Sequence, residues 1–299
     1  MVKFIFTNCL GNHVFNNNYK YAYSDKDLKT IEKKTKDARP IPPDKIVLIL
    51  DHFRDKSYFD AFYKENILRT KEQLQNVVSD DQLITQAIST LEDLKHTINT
   101  LANRVIEWYS WYCPELSENI DDPEKIIPIL ISSNKDQILK KLNLKESIGS
   151  SLKKADLSPI ISIALQISNL YKLLKTQETY LEQCMNRYCP NITAITGSLI
   201  GAKLLNQAGS LKHLSEFPSS TIQLLGAEKA LFRHLKTGAN SPRYGFLHEH
   251  PLLAKSKKKI QGKVARALAD KIAIAAKVDY FKGKPIGEKL RKSLEAKFK

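Results

Sequence analysis

The chain has 299 residues, of which 42% are hydrophobic and 26% charged, a balance that excludes an intrinsically disordered protein. Its length allows two or three domains, each able to bury a core. Residues 191–299 contain 21 Lys and Arg against 7 Asp and Glu, whereas residues 1–190 contain 26 against 25. Nearly all of the net charge of +15 therefore lies in the C-terminal third. This favours a polyanion, above all nucleic acid, as a partner, and a solvated lysine-rich surface is the alternative.

The sequence gives no sign of a metal site, a disulfide framework or a membrane segment. The four cysteines include no C-x-x-C pair, and His248 and His250 lack accompanying carboxylates or cysteines. The apolar run at residues 2–6 is too short for a signal-peptide core, and polar residues interrupt the longer apolar stretches before about 18 residues. We therefore expect a reducing compartment, no membrane contact, and a location in the cytosol, or in the nucleus if the cell has one.

The predicted fold is mainly α, and its first part, residues 1–78, is predicted to be a small α/β domain. Short β-like runs occur at Lys3–Phe6 and Ile46–Leu50. Between them, Arg39–Pro43 is predicted to be extended, because its prolines do not fit a helix interior. Asn16–Asn18 is typical of a turn, since asparagine tolerates left-handed backbone angles.

Residues 79–189 are predicted to form a long antiparallel coiled-coil hairpin. Two series of apolar residues follow one another at spacings of three and four, which is the pattern of helices that pack along a partner. The first is Ile84, Ala87, Leu91, Leu94, Ile98, Leu101, Val105, Trp108 and Tyr112. The second, interrupted only by Glu178, is Ile160, Ala164, Ile167, Tyr171, Leu174, Leu181, Met185 and Tyr188.

Shorter helices are predicted at the far end of the hairpin, over residues 113–157. Pro114, Pro123 and Pro128 are expected to break helix continuity there, and residues 121–123 to form a turn. Such a tip either carries a protein contact or merely closes the hairpin, and the sequence leaves both readings open.

The third part, residues 190–299, is predicted to be a basic helical domain. Ser220–Gln223 fits a capping box and Gly238 a C-cap glycine, which together predict one helix over Thr221–Thr237. The expected buried residues of this helix are Ile222, Leu224, Leu225, Leu231 and Leu235. Lys229, Arg233 and Lys236 would then form a row on one face, suited to successive phosphates. A solvated face is the alternative.

Other candidate RNA contacts follow this helix. The loop at residues 240–245 presents Arg243 and Tyr244, whose planes are suited to stacking on unpaired bases. A lysine cluster at residues 255–259 precedes a final helix in which Ile260, Val264, Leu268, Ile272 and Ala275 are expected to face inward. Lys263 and Arg266 point outward near its start, where the positive end of the helix also favours phosphate.

An enzyme is not expected. The chain has no Gly-x-Gly-x-x-Gly fingerprint and no Gly-x-x-x-x-Gly-Lys-Ser/Thr phosphate loop. Residues 201–203 and 226–229 contain glycine followed by lysine, but at the wrong spacing. The chain is therefore predicted to have no catalytic residue and no cofactor of its own.

Several strings closely resemble the Nop domain family, which includes the core scaffold of box C/D RNA-guided methylation complexes and a related spliceosomal factor. The most specific is GAEKALFRHLKTG at residues 226–238, followed by PRYG at 242–245. The resemblance extends to GKVARALA at 262–269 and AKVDYF at 276–281, and upstream to EWYSWYCPEL at 107–116.

The resemblance implies that the C-terminal domain binds a kink-turn RNA together with a small kink-turn-binding protein of ribosomal type. Carried over to matching positions, the residues on or beside that composite surface are Gln223, Glu228, Lys229, Arg233, Lys236, Thr237, Arg243, His248 and Glu249. Glu228 from this set, and Tyr244 in addition, are assigned to the contact with the kink-turn-binding protein. The His-Glu-His string at 248–250 departs from the family's usual pattern.

The resemblance also implies roles for the other two parts. In archaeal members the N-terminal domain holds fibrillarin, which binds S-adenosylmethionine and methylates rRNA or tRNA, and the coiled coil pairs with a second copy. The lysine- and glutamate-rich tail typical of eukaryotic relatives is missing, which favours an archaeal, cytoplasmic scaffold. A splicing-factor-like protein that binds a kink-turn without fibrillarin is the alternative.

Overall fold

The protein forms two units, Met1–Ser79 and Asp80–Lys299. The computed structural model describes residues 3–25, 27, 30–31, 38–75, 78–144 and 146–298. Apart from Ser79, the two predicted C-terminal parts, 79–189 and 190–299, lie together in the second unit.

The first unit contains a four-stranded sheet in the order β3-β2-β1-β4. Its strands are β1 (Lys3–Asn8), β2 (Gly11–Phe15), β3 (Tyr21–Asp25) and β4 (Ala38–Pro40). The pairs β1–β2 and β2–β3 are antiparallel, whereas β4 runs parallel to β1. The strand expected at Lys3–Phe6 is confirmed. The extended backbone expected over Arg39–Pro43 is confirmed at Arg39 and Pro40 but is wrong at Pro43, which begins a 3-10 helix.

The turn expected at the three asparagines is also confirmed. The Asn16 side-chain oxygen accepts hydrogen bonds from the backbone N–H groups of Asn18 at 3.0 Å and Lys20 at 2.9 Å. The left-handed residue is Tyr19, with φ of 58°, and not an asparagine. A side-chain hydrogen bond from the first position therefore holds the turn.

The strand expected at Ile46–Leu50 is wrong, because these residues form the helix α1. Pro43 begins a 3-10 helix, Pro43–Lys45, that leads directly into α1, and proline is pre-organised for the first helical turn. Periodicity cannot distinguish a strand from a helix in so short an apolar run. A second 3-10 helix, Asp51–Arg54, leads on to α2 (Lys56–Gln75).

The predicted antiparallel hairpin is confirmed. Helices α3 (Asp80–Ser110) and α7 (Lys154–Tyr188) pack along each other. Tyr188, the last residue of α7, donates a hydrogen bond from its hydroxyl to Asp81, the second residue of α3, at 3.0 Å. Buried members of the two predicted series are Ile84, Ala87, Leu91, Ile98, Val105, Ile160, Ala164, Ile167, Leu181 and Met185. The interrupting Glu178 pairs with Lys95 of α3 at 3.0 Å.

Short helices close the far end, as predicted. They are α4 (Glu115–Asn119), α5 (Pro123–Ser132) and α6 (Lys135–Lys141). The buried carboxylate of Glu115 accepts hydrogen bonds from the Ile148 N–H at 2.8 Å and the Ser147 hydroxyl at 2.9 Å. Because burial without partners is costly for a carboxylate, these bonds fix the loop that contains Ser147 and Ile148 onto the helices of the hairpin tip.

The expectation that Pro128 breaks a helix is wrong, since it lies inside α5. Proline cannot donate a hydrogen bond to the carbonyl four residues earlier, which belongs to Glu124. Both residues are exposed, so water can satisfy that carbonyl. Pro123 behaves as expected, because it occupies the first turn of the helix.

Helix α7 contains one 18-residue window that could cross a membrane by length and composition alone. Polar residues therefore interrupt the apolar stretch in α7 less than expected from the sequence. Core helices of soluble proteins share these properties, and Ile160, Ala164 and Ile167 of α7 pack in a cluster with α3 and the tip. That the chain contacts no membrane stays a prediction.

The remaining helices form the basic C-terminal module. They are α8 (Pro190–Ala208), α9 (Leu211–Glu216), α10 (Ser219–Leu224), α11 (Glu228–Thr237), α12 (Pro251–Ala254), α13 (Gln261–Tyr280) and α14 (Gly287–Phe298). Of the residues expected to face inward in the long basic helix, Val264, Leu268, Ile272 and Ala275 are buried, but Ile260 precedes α13 and is exposed.

The hairpin base and the C-terminal module share one hydrophobic core, which runs from α3 and α7 into α8, α9 and α13. Polar contacts reinforce this junction. The Asp81 carboxylate accepts a hydrogen bond from the Leu211 N–H at 2.9 Å, and buried Asp279 accepts from the N–H groups of Asn191 at 3.1 Å and Ile192 at 2.9 Å. The arm is therefore built into the module that carries the basic charge.

Candidate nucleic-acid interface

The single helix expected over Thr221–Thr237 is wrong, because two helices, α10 and α11, are separated at Leu225–Ala227. Gly226 has φ of +89°, a left-handed angle that favours glycine, and a Cβ built there would lie 2.7 Å from the Phe246 ring. Tertiary packing of Phe246 therefore overrides the local preference for one continuous helix.

Backbone pairing holds this break in place. The Gly245 N–H donates to the Gln223 carbonyl at 2.9 Å, and the Phe246 N–H donates to the Leu225 carbonyl at 2.8 Å. A Cβ on Gly245 would lie 1.8 Å from the Leu225 oxygen, so only glycine permits this approach. The loop that contains the PRYG string at residues 242–245, here called the PRYG loop, is thus fixed against the end of α10.

The ends of these helices differ from the expectation in one respect. The capping box predicted at Ser220–Gln223 is absent, because α10 begins at Ser219 with Pro218 as its N-cap and no side-chain cap. The Glu228 carboxylate instead accepts from the Gly226 N–H at 2.7 Å, which closes the start of α11. The C-cap at Gly238, with φ of 70°, is confirmed.

Helix α11 carries the predicted row of cations. Lys229, Arg233 and Lys236 are all exposed, and within the described residues none of them forms an ion pair. Thr237 is exposed too, and its hydroxyl donates to the Arg233 carbonyl at 2.8 Å. Three positive charges at helical spacing of four and three therefore remain available to an anion.

The apolar face expected for this helix is largely unburied. No residue of α11 is buried, and Phe232 and Leu235 are 66% and 74% exposed. The prediction that Leu235 is buried is therefore wrong, and Leu224 and Leu231 are only half-buried. Ile222 and Leu225 are buried as expected. A helix with one cationic and one apolar exposed face can contact both an anion and an apolar surface.

A basic groove lined by α10, the PRYG loop and the start of α13 brings four other predicted residues together. Gln223, Arg243, Lys263 and Arg266 line one cavity of about 580 Å³. The Gln223 amide donates to the Arg243 carbonyl at 2.6 Å, which joins α10 to the PRYG loop. Lys259 lines the same groove, and its position there could not be read from the lysine cluster alone.

The balance of charge in the groove is positive. Its lining contains four cationic side chains and one acidic side chain, Asp270. Lys229, Arg233, Lys236 and Thr237 do not line it. The predicted RNA-binding residues other than His248 thus fall into two sets, the groove and the face of α11.

Tyr244, His248 and Glu249 have local partners. The Tyr244 hydroxyl donates to the Gln261 side chain at 2.9 Å, and its ring packs on Val264 and Ala265. Nδ1 of exposed His248 lies 2.9 Å from the Gly245 carbonyl. The Glu249 carboxylate is bound by Lys203 at 2.7 and 2.8 Å.

His250 holds the PRYG loop region onto α8. This buried residue lies with Nε2 3.0 Å from the Ile195 carbonyl, and its Nδ1 accepts from the Leu252 N–H at 3.2 Å. Burial lowers the pKa of its imidazole from 6.5, while the hydrogen bond to Ile195 opposes that shift. The neutral imidazole therefore fits both bonds.

The arrangement of the histidine, cysteine and carboxylate side chains bears on metal binding. Across the described ranges, no group of three or more His, Cys, Asp or Glu side chains is placed to hold a metal ion. Cys113, Cys184 and Cys189 are buried as free thiols. Burial raises the pKa of the Cys113 thiol to about 11, which favours the protonated thiol at neutral pH.

Together these features define a helical arm joined to a cationic, groove-bearing module. Residues 90–299 match the family model described as "Nop: snoRNA binding domain, fibrillarin". The chain belongs to the Nop family, as the sequence resemblance predicted.

Three relatives show the extent of the similarity. An uncharacterized NOP5 family protein of Methanocaldococcus jannaschii is 37% identical over 82% of this chain and 63% of its own length. Nucleolar protein 56 of Schizosaccharomyces pombe is 38% identical over 74% of this chain and 49% of its own. Nucleolar protein 58 of Coccidioides immitis is 39% identical over 67% and 35%. The chain thus spans between about a third and two thirds of these relatives.

A solved structure is also similar. It is the crystal structure of a fibrillarin/Nop5p complex, with a TM-score of 0.48, 23% identity, and coverage of 98% of each chain.

Proposed function

We propose that the chain is a noncatalytic scaffold of a box C/D RNA-guided 2′-O-methylation complex. The observation that carries this proposal is that one module presents both a basic groove and the exposed cations of α11, in a chain that belongs to the Nop family. The cations supply phosphate contacts, and the fixed backbone between α10 and the PRYG loop holds them in one geometry.

The RNA ligand of this site is a kink-turn carrying a small kink-turn-binding protein. Gln223, Arg243, Lys263 and Arg266 contact RNA from the groove, and Lys229, Arg233, Lys236 and Thr237 from α11, with His248 beside the loop. The exposed Phe232 and Leu235 support a contact with the bound protein, beside Glu228 at the start of the same helix. Tyr244, in the PRYG loop, contributes to the contact with the bound protein.

Fibrillarin is the proposed catalytic partner, held by the N-terminal unit. It binds S-adenosylmethionine and methylates rRNA or tRNA, while this chain contributes geometry, since fixing two reactants near each other removes part of the entropic barrier. The hairpin pairs with a second copy of the chain. An archaeal cytoplasm is the proposed location. The splicing-factor-like alternative is not favoured, since the relatives described above are NOP5-family and nucleolar proteins.

Replacing Arg233 and Lys236 together by alanine tests the RNA surface. We expect at least tenfold weaker binding to kink-turn RNA saturated with its small protein, because two phosphate contacts and their counterion release are lost (on the order of 1 kcal/mol or more). Fluorescence anisotropy at about 0.15 M salt measures this. Lys289 and Lys292 of α14, changed to alanine, are the charge-matched control.

Unchanged binding of the Arg233 and Lys236 variant would show that α11 is not part of the RNA interface.

Methyl transfer by the reconstituted mixture, with and without fibrillarin, tests the scaffold role. Activity of the chain alone would contradict it.

A further inference from the structure

A second cavity lies in the C-terminal module, and it shares no lining residue with the basic groove. Its volume is about 970 Å³, near the upper end of the range of about 300 to 1,000 Å³ typical of ligand sites. Ile195 of α8, Leu252 of α12, and Leu294 and Phe298 of α14 contribute its apolar lining. This lining suits a flat or apolar group of a ligand.

An interruption of α8 opens one wall of the cavity. Gly197 lines it and has φ of 77° and ψ of 166°, which are not helical angles. A Cβ built on Gly197 would meet no atom within 4 Å, so this part of the backbone borders open space. The Ile195 carbonyl, two residues before Gly197, lies 3.0 Å from Nε2 of His250.

Two lysines give the cavity its unbalanced charge. Lys255 and Lys257 line it, are exposed, and form no ion pair within the part of the chain that the structure describes. Arg291 and Glu295 also line it, and the Arg291 guanidinium contacts Glu295 at 3.0 Å and Glu288 at 3.6 Å. The lining therefore contains three cationic side chains and one acidic side chain. An apolar cavity with free cations at its edge favours a ligand that is apolar in one part and anionic in another.

The same short turn connects this cavity with the basic groove. Lys257 lines the cavity and Lys259 lines the groove. Because they are two residues apart, their Cα atoms lie within about 7.6 Å of each other. A polyanion bound in the groove can therefore extend over this turn to the cavity while its phosphates stay close to lysine side chains. Lys258, between them, lines neither cavity.

We propose that this cavity binds an unpaired nucleotide of the RNA held in the groove, with the base inside and its phosphate on Lys255 and Lys257. A base supplies the flat apolar part, the phosphate supplies the charge, and the shared turn supplies the path. The inference rests on the proposed function, because it requires RNA in the groove.

The test compares an unextended RNA with two extended RNAs on the full-length chain. The unextended RNA is a kink-turn RNA saturated with its small protein, and the extended RNAs are the same RNA with a single-stranded uridine extension of about six nucleotides, placed on either end in turn. We expect one of the two extensions to increase affinity about tenfold, which is the gain typical of placing one base in a stacking site.

Two variants localise the gain. Ser256→Phe places a large ring in the cavity, and Lys255 and Lys257 changed together to alanine remove its cations. Each is expected to abolish most of the tenfold gain while leaving binding of the unextended RNA within about twofold. Lys258 and Lys292 changed to alanine remove the same charge outside the cavity and should keep the gain.

The outcomes separate the two proposals. If the unextended RNA binds but neither extension adds affinity, the cavity proposal is wrong and the scaffold proposal stands. The cavity proposal also fails if an extension adds affinity equally in the double-lysine variant and its control. If none of these RNAs binds, both proposals fail.

Discussion

The hairpin helices α3 and α7 and the short helix α11 carry similar apolar periodicity, but only the hairpin buries it. Eight residues of α3 and six of α7 are buried, against none in α11. A periodic pattern therefore identifies a helix with an apolar face, whereas burial of that face depends on whether the chain supplies a partner. Exposed Phe232 and Leu235 beside three free cations are consistent with a partner outside the chain.

The largest effect expected from this comparison is on stability. Ile167→Ala in the hairpin removes a fully buried side chain and should cost about 2 to 5 kcal/mol of the free energy of unfolding. Phe232→Ala on α11 should cost less than about 0.5 kcal/mol, because its ring is mostly exposed. Urea unfolding monitored by the fluorescence of Trp108 and Trp111, both in the hairpin, measures each. Equal losses would contradict the comparison.

A smaller effect is expected from the glycine that separates α10 and α11. Gly226→Ala combines a left-handed backbone angle with a clash against Phe246, and should destabilise the protein by about 1 to 3 kcal/mol and weaken RNA assembly. Gly238→Ala is the matched control, since its φ is also positive but open space surrounds the new Cβ. Its cost should be confined to backbone strain, about 1 kcal/mol.

If both alanine variants lost the same stability, contact with Phe246 would not determine the break. If Gly226→Ala kept full RNA assembly, the orientation of α11 would not matter for binding.

The smallest effect concerns pH. His250 is neutral in the fold, and burial lowers its pKa from 6.5, so the unfolded chain binds the proton more readily. Its contribution to stability is therefore complete above about pH 6.5 and is lost as the pH falls towards the lower folded pKa. Urea midpoints at about pH 7.5 and 5.5, read from the hairpin tryptophans, should differ less in His250→Gln than in the native chain. An unchanged difference would exclude His250 as the cause.

Much of the second unit could be predicted because its long helices repeat one local rule. The spacing of Ile84, Leu91 and Ile98 on α3, and of Ile160 and Ile167 on α7, predicts two apolar faces of matching length. The C-cap at Gly238 and the exposed row on α11 also follow from local sequence. Hydrogen bonds and steric preferences within a few residues set these features.

Other features could not be predicted because they depend on residues distant in sequence. The break at Gly226 depends on Phe246, twenty residues later in the chain. The position of Lys259 in the groove requires that α10, the PRYG loop and α13 meet.

By itself, the sequence determined the helical class, the hairpin, the basic C-terminal module and the family. Periodicity, net charge and a specific motif are properties of short segments, and folding does not alter them. Only the tertiary structure decided which cations share a groove, that α11 leaves its apolar face exposed, and that a second cavity opens at Gly197. These depend on packing between segments tens of residues apart, which no local pattern specifies.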